Sequence, residues 1–307
     1  MADNDSTKKP DYTDTDWTWL IRQRHEKWAL MWEELEQEGI KRTYLWDDPK
    51  DVPDFDPSYG QPVPSLAIWP IQPDRRGIII VCAGGGFMFK SFNEALPVAA
   101  ALHRAGMNAA ILDYRFTPYT RESARDDGLR AIRYLRCHAD RLGIDASHIA
   151  IGGFSAGGIL TSLVINGFAA GDPTSSDPVE QFSSRPDAAF QMYGSFRTMP
   201  SLSAAKPDHP LMFSFEEQQA EARQDFIYSL PLNAPPMFMA QTDGDDPHHV
   251  LHMALAYADR GIPHEYHLFH GGPHGGGLYN GADETPDFPH TAHWITLMAE
   301  WFGMMGF

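Results

Sequence analysis

The chain has 307 residues, 43% of them hydrophobic, which is enough to bury a large core in one α/β domain even though the length alone would allow two. Its 24 basic and 41 acidic residues leave a formal charge of -17, which disfavours nucleic acid, anionic membranes and other polyanions as partners and suits a neutral substrate. Two cysteines, Cys82 in an apolar strand run and Cys137 in a helical run, form no disulfide framework and point to buried reduced thiols in the cytoplasm.

In chain order, residues 1–16 are polar and acidic, with no apolar segment of signal-peptide length. A helix is predicted over 16–39, where Trp17, Leu20, Ile21, Trp28, Met31, Trp32 and Leu35 recur at helical spacing and Gly39 suits the stop. Its aromatic stripe can pack on the main domain, cap the active site, or make a dimer contact that would give a homo-oligomer. The Pro- and Asp-rich segment 46–64 reads as a linker, so residues 1–60 are expected as a helical extension and 61–307 as the catalytic domain.

Short apolar strands then alternate with amphipathic helices, the pattern of a mostly parallel sheet covered on both faces. Strands are predicted over 66–69, 78–82, 109–112, 149–152, 188–192, 237–241 and 265–269. Helices are expected over 93–105, 122–142, 156–168, 248–260 and 290–302. Residues 194–230 fit no strand-helix unit, and an insertion there, with Met199, Met212, Phe213 and Phe215, is expected as a lid. No stretch approaches the roughly 20 apolar residues of a membrane span.

Within this pattern, Ile149 to Gly158 reads as a buried strand running through Gly-x-Ser-x-Gly straight into a helix. Such a strained turn lifts one serine, Ser155, out of the backbone as a nucleophile at the carboxyl edge of the sheet. A serine hydroxyl needs a base, and the base needs an acid to fix its tautomer, in the chain order Ser, Asp or Glu, His. His274, in the glycine-rich loop 271–277 after the last strand, is the expected base; His270, at the end of that strand, is the rival. For the acid, Asp246 is preferred in the turn 241–247, Asp243 comes second, and Asp245 is assigned to capping the following helix.

Charge on the substrate carbonyl oxygen has to be met by backbone N–H groups already aimed at it. Ala156, at a helix N-terminus, offers one, and Gly85 and Gly86 in the triple glycine after the 78–82 strand offer two more. Phe87 and Tyr193 are candidate substrate contacts. His248, His249 and His252, with His290 and His293, raise a metal site, but their spacing puts at most two on one helix face, and no metal or organic cofactor is expected.

These motifs resemble the α/β-hydrolases of the esterase-lipase group, and more narrowly the acetylxylan and feruloyl esterase-like branch. The resemblance rests on residues 64–69, 84–87, 112–115, 153–158, 184–187, 245–247 and 271–275, from Pro64-Ser65-Leu66 to Gly271-Gly272-Pro273-His274-Gly275. It implies hydrolysis of small acyl esters, often acetyl groups on xylan-derived sugars, by Ser155, Asp246 and His274 without a cofactor. A short-chain esterase for lipid or xenobiotic esters and a non-catalytic binder on the same fold are the alternatives.

Overall fold

Eight strands form one sheet in the computed structural model, which describes residues 16–73, 77–194 and 230–307. They are β1 (Arg42–Tyr44), β2 (Ser65–Ile68), β3 (Ile78–Cys82), β4 (Asn108–Asp113), β5 (Ile149–Phe154), β6 (Ala188–Met192), β7 (Met237–Thr242) and β8 (His264–Phe269). Their spatial order is β1-β2-β4-β3-β5-β6-β7-β8. The pairs β1/β2 and β2/β4 are antiparallel, and every neighbouring pair from β4 to β8 is parallel. With its helices on both faces, the chain has the α/β-hydrolase fold.

The inner strands β3 to β7 are buried along their whole length, which is why they read as continuous apolar runs instead of alternating ones. Successive side chains still go to opposite faces. Ile79 and Val81 enter the core with α1 (Trp17–Gln37), α2 (Leu96–Arg104) and α7 (Trp294–Met304), whereas Ile78, Ile80 and Cys82 enter that of α3 (Arg121–Cys137) and α5 (Ala156–Gly167). A smaller cluster joins α6 (His248–Asp259) to β7 through Met237, Met239, Val250, Met253 and Tyr257.

Two local expectations need adjustment. β1 lies just before the expected linker as an edge strand, three residues with no apolar run to announce it. The single helix predicted over 122–142 breaks at His138 into α3 and the short α4 (Ala139–Leu142). The insertion expected at 194–230 lies, apart from its end residues, outside the described residues. None of the described helices is long and apolar enough to cross a membrane.

Because β3, β5, β7 and β8 all run in one direction, their carboxyl ends open on the same edge of the sheet. The glycine loop, Ser155, the acidic turn and the loop of His274 are therefore neighbours in space.

Candidate active site

Ser155 sits between β5 and α5 with φ 50° and ψ -115°, a conformation costly for a residue with a side chain. The turn is too tight for side chains beside it: a Cβ on Gly153 would lie 2.3 Å from the Cys82 carbonyl oxygen, and one on Gly157 only 2.0 Å. The glycines two before and two after Ser155 thus let the elbow seat directly on the end of β3.

His274 Nε2 lies 2.8 Å from Ser155 Oγ, and its Nδ1 lies 2.5 Å from Asp245 Oδ2. A carboxylate only accepts, so Nδ1 carries the proton and Nε2 is left to accept from the serine hydroxyl. Although 40% of the His274 side chain is open, the dense surroundings disfavour an imidazolium; the hydrogen bond and charge of Asp245, with the charge of Glu94, more than offset this. His274 is therefore held above its ordinary value.

The acid facing His274 is Asp245, not Asp246. Asp246 Oδ1 instead accepts from the backbone N–H of His248 at 3.0 Å, and His248 Nδ1 lies 2.7 Å from the same oxygen. Asp246, one residue ahead of the Pro247 N-cap, satisfies the orphan N–H of His248 at the start of α6, and Asp245, expected as the cap, turns toward the histidine. Asp-Pro ahead of a helix was the signal that could have shown this, since an aspartate there is readily taken by the N–H two residues on. Asp243 pairs with His270 at 2.6 Å, on the open surface.

Gly85 and Gly86 line a cavity of about 370 Å³ together with Ser155 and His274. Gly85 has φ +124°, and a Cβ there would lie 2.2 Å from the Phe89 carbonyl oxygen, so only glycine fits this turn. Ala156 opens α5, where its N–H has no intrahelical acceptor and the helix dipole favours an anion.

Phe87 and Tyr193 do not line this cavity. Phe87 is 2% exposed and packs edge-on against Tyr114, with the Arg121 guanidinium 5.1 Å from its ring. Tyr193 is equally enclosed, its ring 5.0 Å from that of His274 and its hydroxyl donated to Glu94 Oε1 at 2.9 Å. Phe89 is the aromatic of the glycine loop that does face the cavity, beside Ser91, Asn93 and Glu94. Burial raises the Glu94 carboxyl, opposed by the Tyr193 hydrogen bond, the His274 charge and the Gly84 N–H.

The opposite wall is α1, which contributes Trp17, Leu20 and Arg24. Trp28, Met31, Trp32 and Leu35 anchor the helix in the core of its own chain, each burial worth about 1.5–3 kcal/mol. Trp28 Nε1 donates to the buried Asp113 at 3.1 Å, which also pairs with Arg42 and Lys90. Nearer the cavity, Arg24 and Lys27 hold Glu284 at 3.1 and 2.7 Å. Among the described residues no three His, Cys, Asp or Glu side chains converge as a metal would require.

The BD-FAE family model matches residues 70–246, more than half of the sequence and most of the strands that carry this site. The chain belongs to the BD-FAE family. A solved structure of an acetyl ester-xyloside bifunctional hydrolase from Caldicellulosiruptor lactoaceticus is similar to this BD-FAE chain at 31% identity and TM-score 0.73, covering 87% of this chain and 97% of that one. A thermophilic esterase from Thermogutta terrifontis with butyrate bound shares the fold at TM-score 0.64 and 21% identity, covering 88% of this chain and 95% of that one. Endo-1,4-beta-xylanase B of Butyrivibrio fibrisolvens is 29% identical over 257 residues, 76% of this chain but 37% of that protein. The chain spans about a third of the length of the curated relatives it matches. A carboxylesterase of Mycobacterium tuberculosis is 32% identical over 106 residues, a third of this BD-FAE chain and a third of that protein.

Proposed function

We propose that the protein is a serine carboxylic-ester hydrolase that removes small acyl groups, acetyl above all, from short acylated carbohydrates. What carries this reading is the continuous contact from Asp245 through His274 to Ser155 at the mouth of a small cavity. His274 Nε2 takes the Ser155 proton as Oγ bonds to the ester carbonyl carbon, and the oxyanion is met by the N–H groups of Gly85, Gly86 and Ala156. The C–O bond to the alcohol breaks as the imidazolium returns its proton to the leaving oxygen. Water, deprotonated by His274, then releases the acid and frees Ser155, while Asp245 keeps the imidazole in the productive tautomer.

The carbohydrate part is supported by the lining beyond Ser155, where Trp17 and Phe89 supply apolar faces and Arg24, Asn93 and Glu284 supply polar groups. A relative named for acetyl ester and xyloside hydrolysis, and another named as a xylanase, agree with a plant-cell-wall sugar as the alcohol. Ser155→Ala should lower kcat for p-nitrophenyl acetate by about 10⁶-fold and abolish fluorophosphonate labelling of the folded protein. Unchanged turnover in that variant would sink the mechanism. Acetylated xylo-oligosaccharides should exceed p-nitrophenyl acetate and aryl butyrates in kcat/KM; the reverse order assigns the site to simple short-chain esters.

A further inference from the structure

Glu94 is 2% exposed yet lines the cavity, and the hydrolytic steps above give it no task. It ends a short turn, Phe92–Glu94, that returns the chain from the glycine loop to α2. Its two oxygens serve opposite sides of the reaction centre. Oε2 accepts the N–H of Gly84 at 2.8 Å, at the start of the glycine loop. Oε1 accepts the Tyr193 hydroxyl at 2.9 Å, and that hydroxyl in turn accepts the N–H of Gly277 at 2.9 Å, three residues past His274. Asn93 reinforces the same connection, its Nδ2 donating to the Gly275 carbonyl at 3.1 Å. Even a Cβ on Gly84 would lie 2.6 Å from Glu94 Oε2 and 2.9 Å from Ser155 Cβ, so the carboxyl is packed in beneath the nucleophile.

We propose that Glu94 is a positioning residue, a buried clamp that holds the glycine loop and the histidine loop in register across Ser155. The proposal rests on the hydrolytic reading above. The two loops leave β3, in the middle of the sheet, and β8, at its edge, so no ladder of backbone hydrogen bonds aligns them directly. Both are rich in glycine and have few side chains of their own to fix them. Attack requires the Gly85 and Gly86 donors and His274 Nε2 to address one ester group at the same time, and a displacement of either loop costs rate more than binding. A buried carboxylate with both oxygens satisfied from the two sides supplies that alignment.

The test is a cycle of Glu94→Gln, Tyr193→Phe and the double variant, assayed with p-nitrophenyl acetate. Gln keeps the volume but turns an NH₂ donor toward either the Gly84 N–H or the Tyr193 hydroxyl. Phe keeps the ring and removes the shared hydroxyl. Each single variant should lose kcat by about 10- to 100-fold with KM within about twofold, and the double should fall no more than about twofold below the slower single, as expected for one interrupted path. Wild-type kcat in both singles overturns the clamp; so do losses that multiply in the double, or a change confined to KM. Should Glu94→Gln fail to melt cooperatively, Tyr193→Phe decides, and unchanged kcat there rejects the proposal. An unmutated protein that neither turns over the ester nor reacts with a fluorophosphonate removes the hydrolytic reading and the clamp with it, whereas an active one with indifferent variants removes the clamp alone.

Discussion

Two His–Asp pairs stand side by side on the loops that follow β7 and β8. His274 meets Asp245 at 2.5 Å and His270 meets Asp243 at 2.6 Å, both through Nδ1. Each aspartate spends its other oxygen on a backbone N–H, Asp245 on that of Asp246 and Asp243 on that of Gly271. Both imidazoles are held above the ordinary histidine value by their carboxylates. Yet the His270 side chain is 88% exposed, while His274 places Nε2 on Ser155 at the mouth of the cavity. The dyad by itself is therefore no mark of chemistry. Under the proposed mechanism, what distinguishes the pairs is whether the second ring nitrogen has a nucleophile to address in a site that can admit an ester.

The largest consequence concerns the acids. Asp245→Asn should leave His274 free to adopt the wrong tautomer and lower kcat by about 10⁴-fold, whereas Asp243→Asn should stay within about threefold of wild type. Comparable losses from the two would erase the distinction. A second effect is on pH. Only neutral His274 can take the serine proton, so kcat/KM should fall as pH drops through a value above the ordinary 6.5. Removing the Asp245 charge takes away part of what raises that value, so the acid limb of the residual activity in Asp245→Asn should move to lower pH. A limb that stays in place would show that Asp245 does not govern the titration.

How far such distinctions can be read from the sequence depends on whether the signal is contiguous. The elbow is, because strand, Gly-x-Ser-x-Gly and helix occupy one run from Ile149 onward. His274 could be found because a glycine-rich loop after the last parallel strand has to open on the same edge of the sheet. Which of two adjacent aspartates faces His274 could not be read, because it turns on which carboxylate the start of α6 takes. Phe87 and Phe89 look alike in the sequence; only the left-handed turn at Gly85, Gly86 and Phe87 decides which faces the cavity. Glu94 escaped notice since its hydroxyl partner, Tyr193, is 99 residues away in the chain. The stripe on α1 announced a buried face and left packing, capping and a dimer contact open; the first turns of the helix, with Trp17, Leu20 and Arg24, line the cavity while Trp28 to Leu35 pack in the core.

Asp246 offers a smaller test of which neighbour faces the histidine. Asp246→Ala should cost about 0.5–1.5 kcal/mol of stability through the lost hydrogen bond to the His248 N–H and leave kcat within about threefold, while Asp246→Asn, which still accepts from the His248 N–H, should be close to silent in both. A loss of kcat in Asp246→Asn on the scale of Asp245→Asn would return the acid to Asp246.

The smallest expected effect comes from the exposed pair itself. Because Asp243 raises the His270 value in the folded protein, the pair adds stability that is fully present below the unfolded histidine value and is lost as pH rises through the raised one. His270→Gln should thus melt slightly earlier than wild type in mildly acidic buffer and coincide with it in alkaline buffer, the whole difference being small because the pair is open to solvent and screened. Its kcat should stay within about twofold of wild type at every pH, since among the described residues no hydrogen bond links His270 Nε2 to Ser155. An acid limb that shifts in His270→Gln would mean that the two imidazoles titrate together, and the surface pair would then belong to the electrostatics of the site after all.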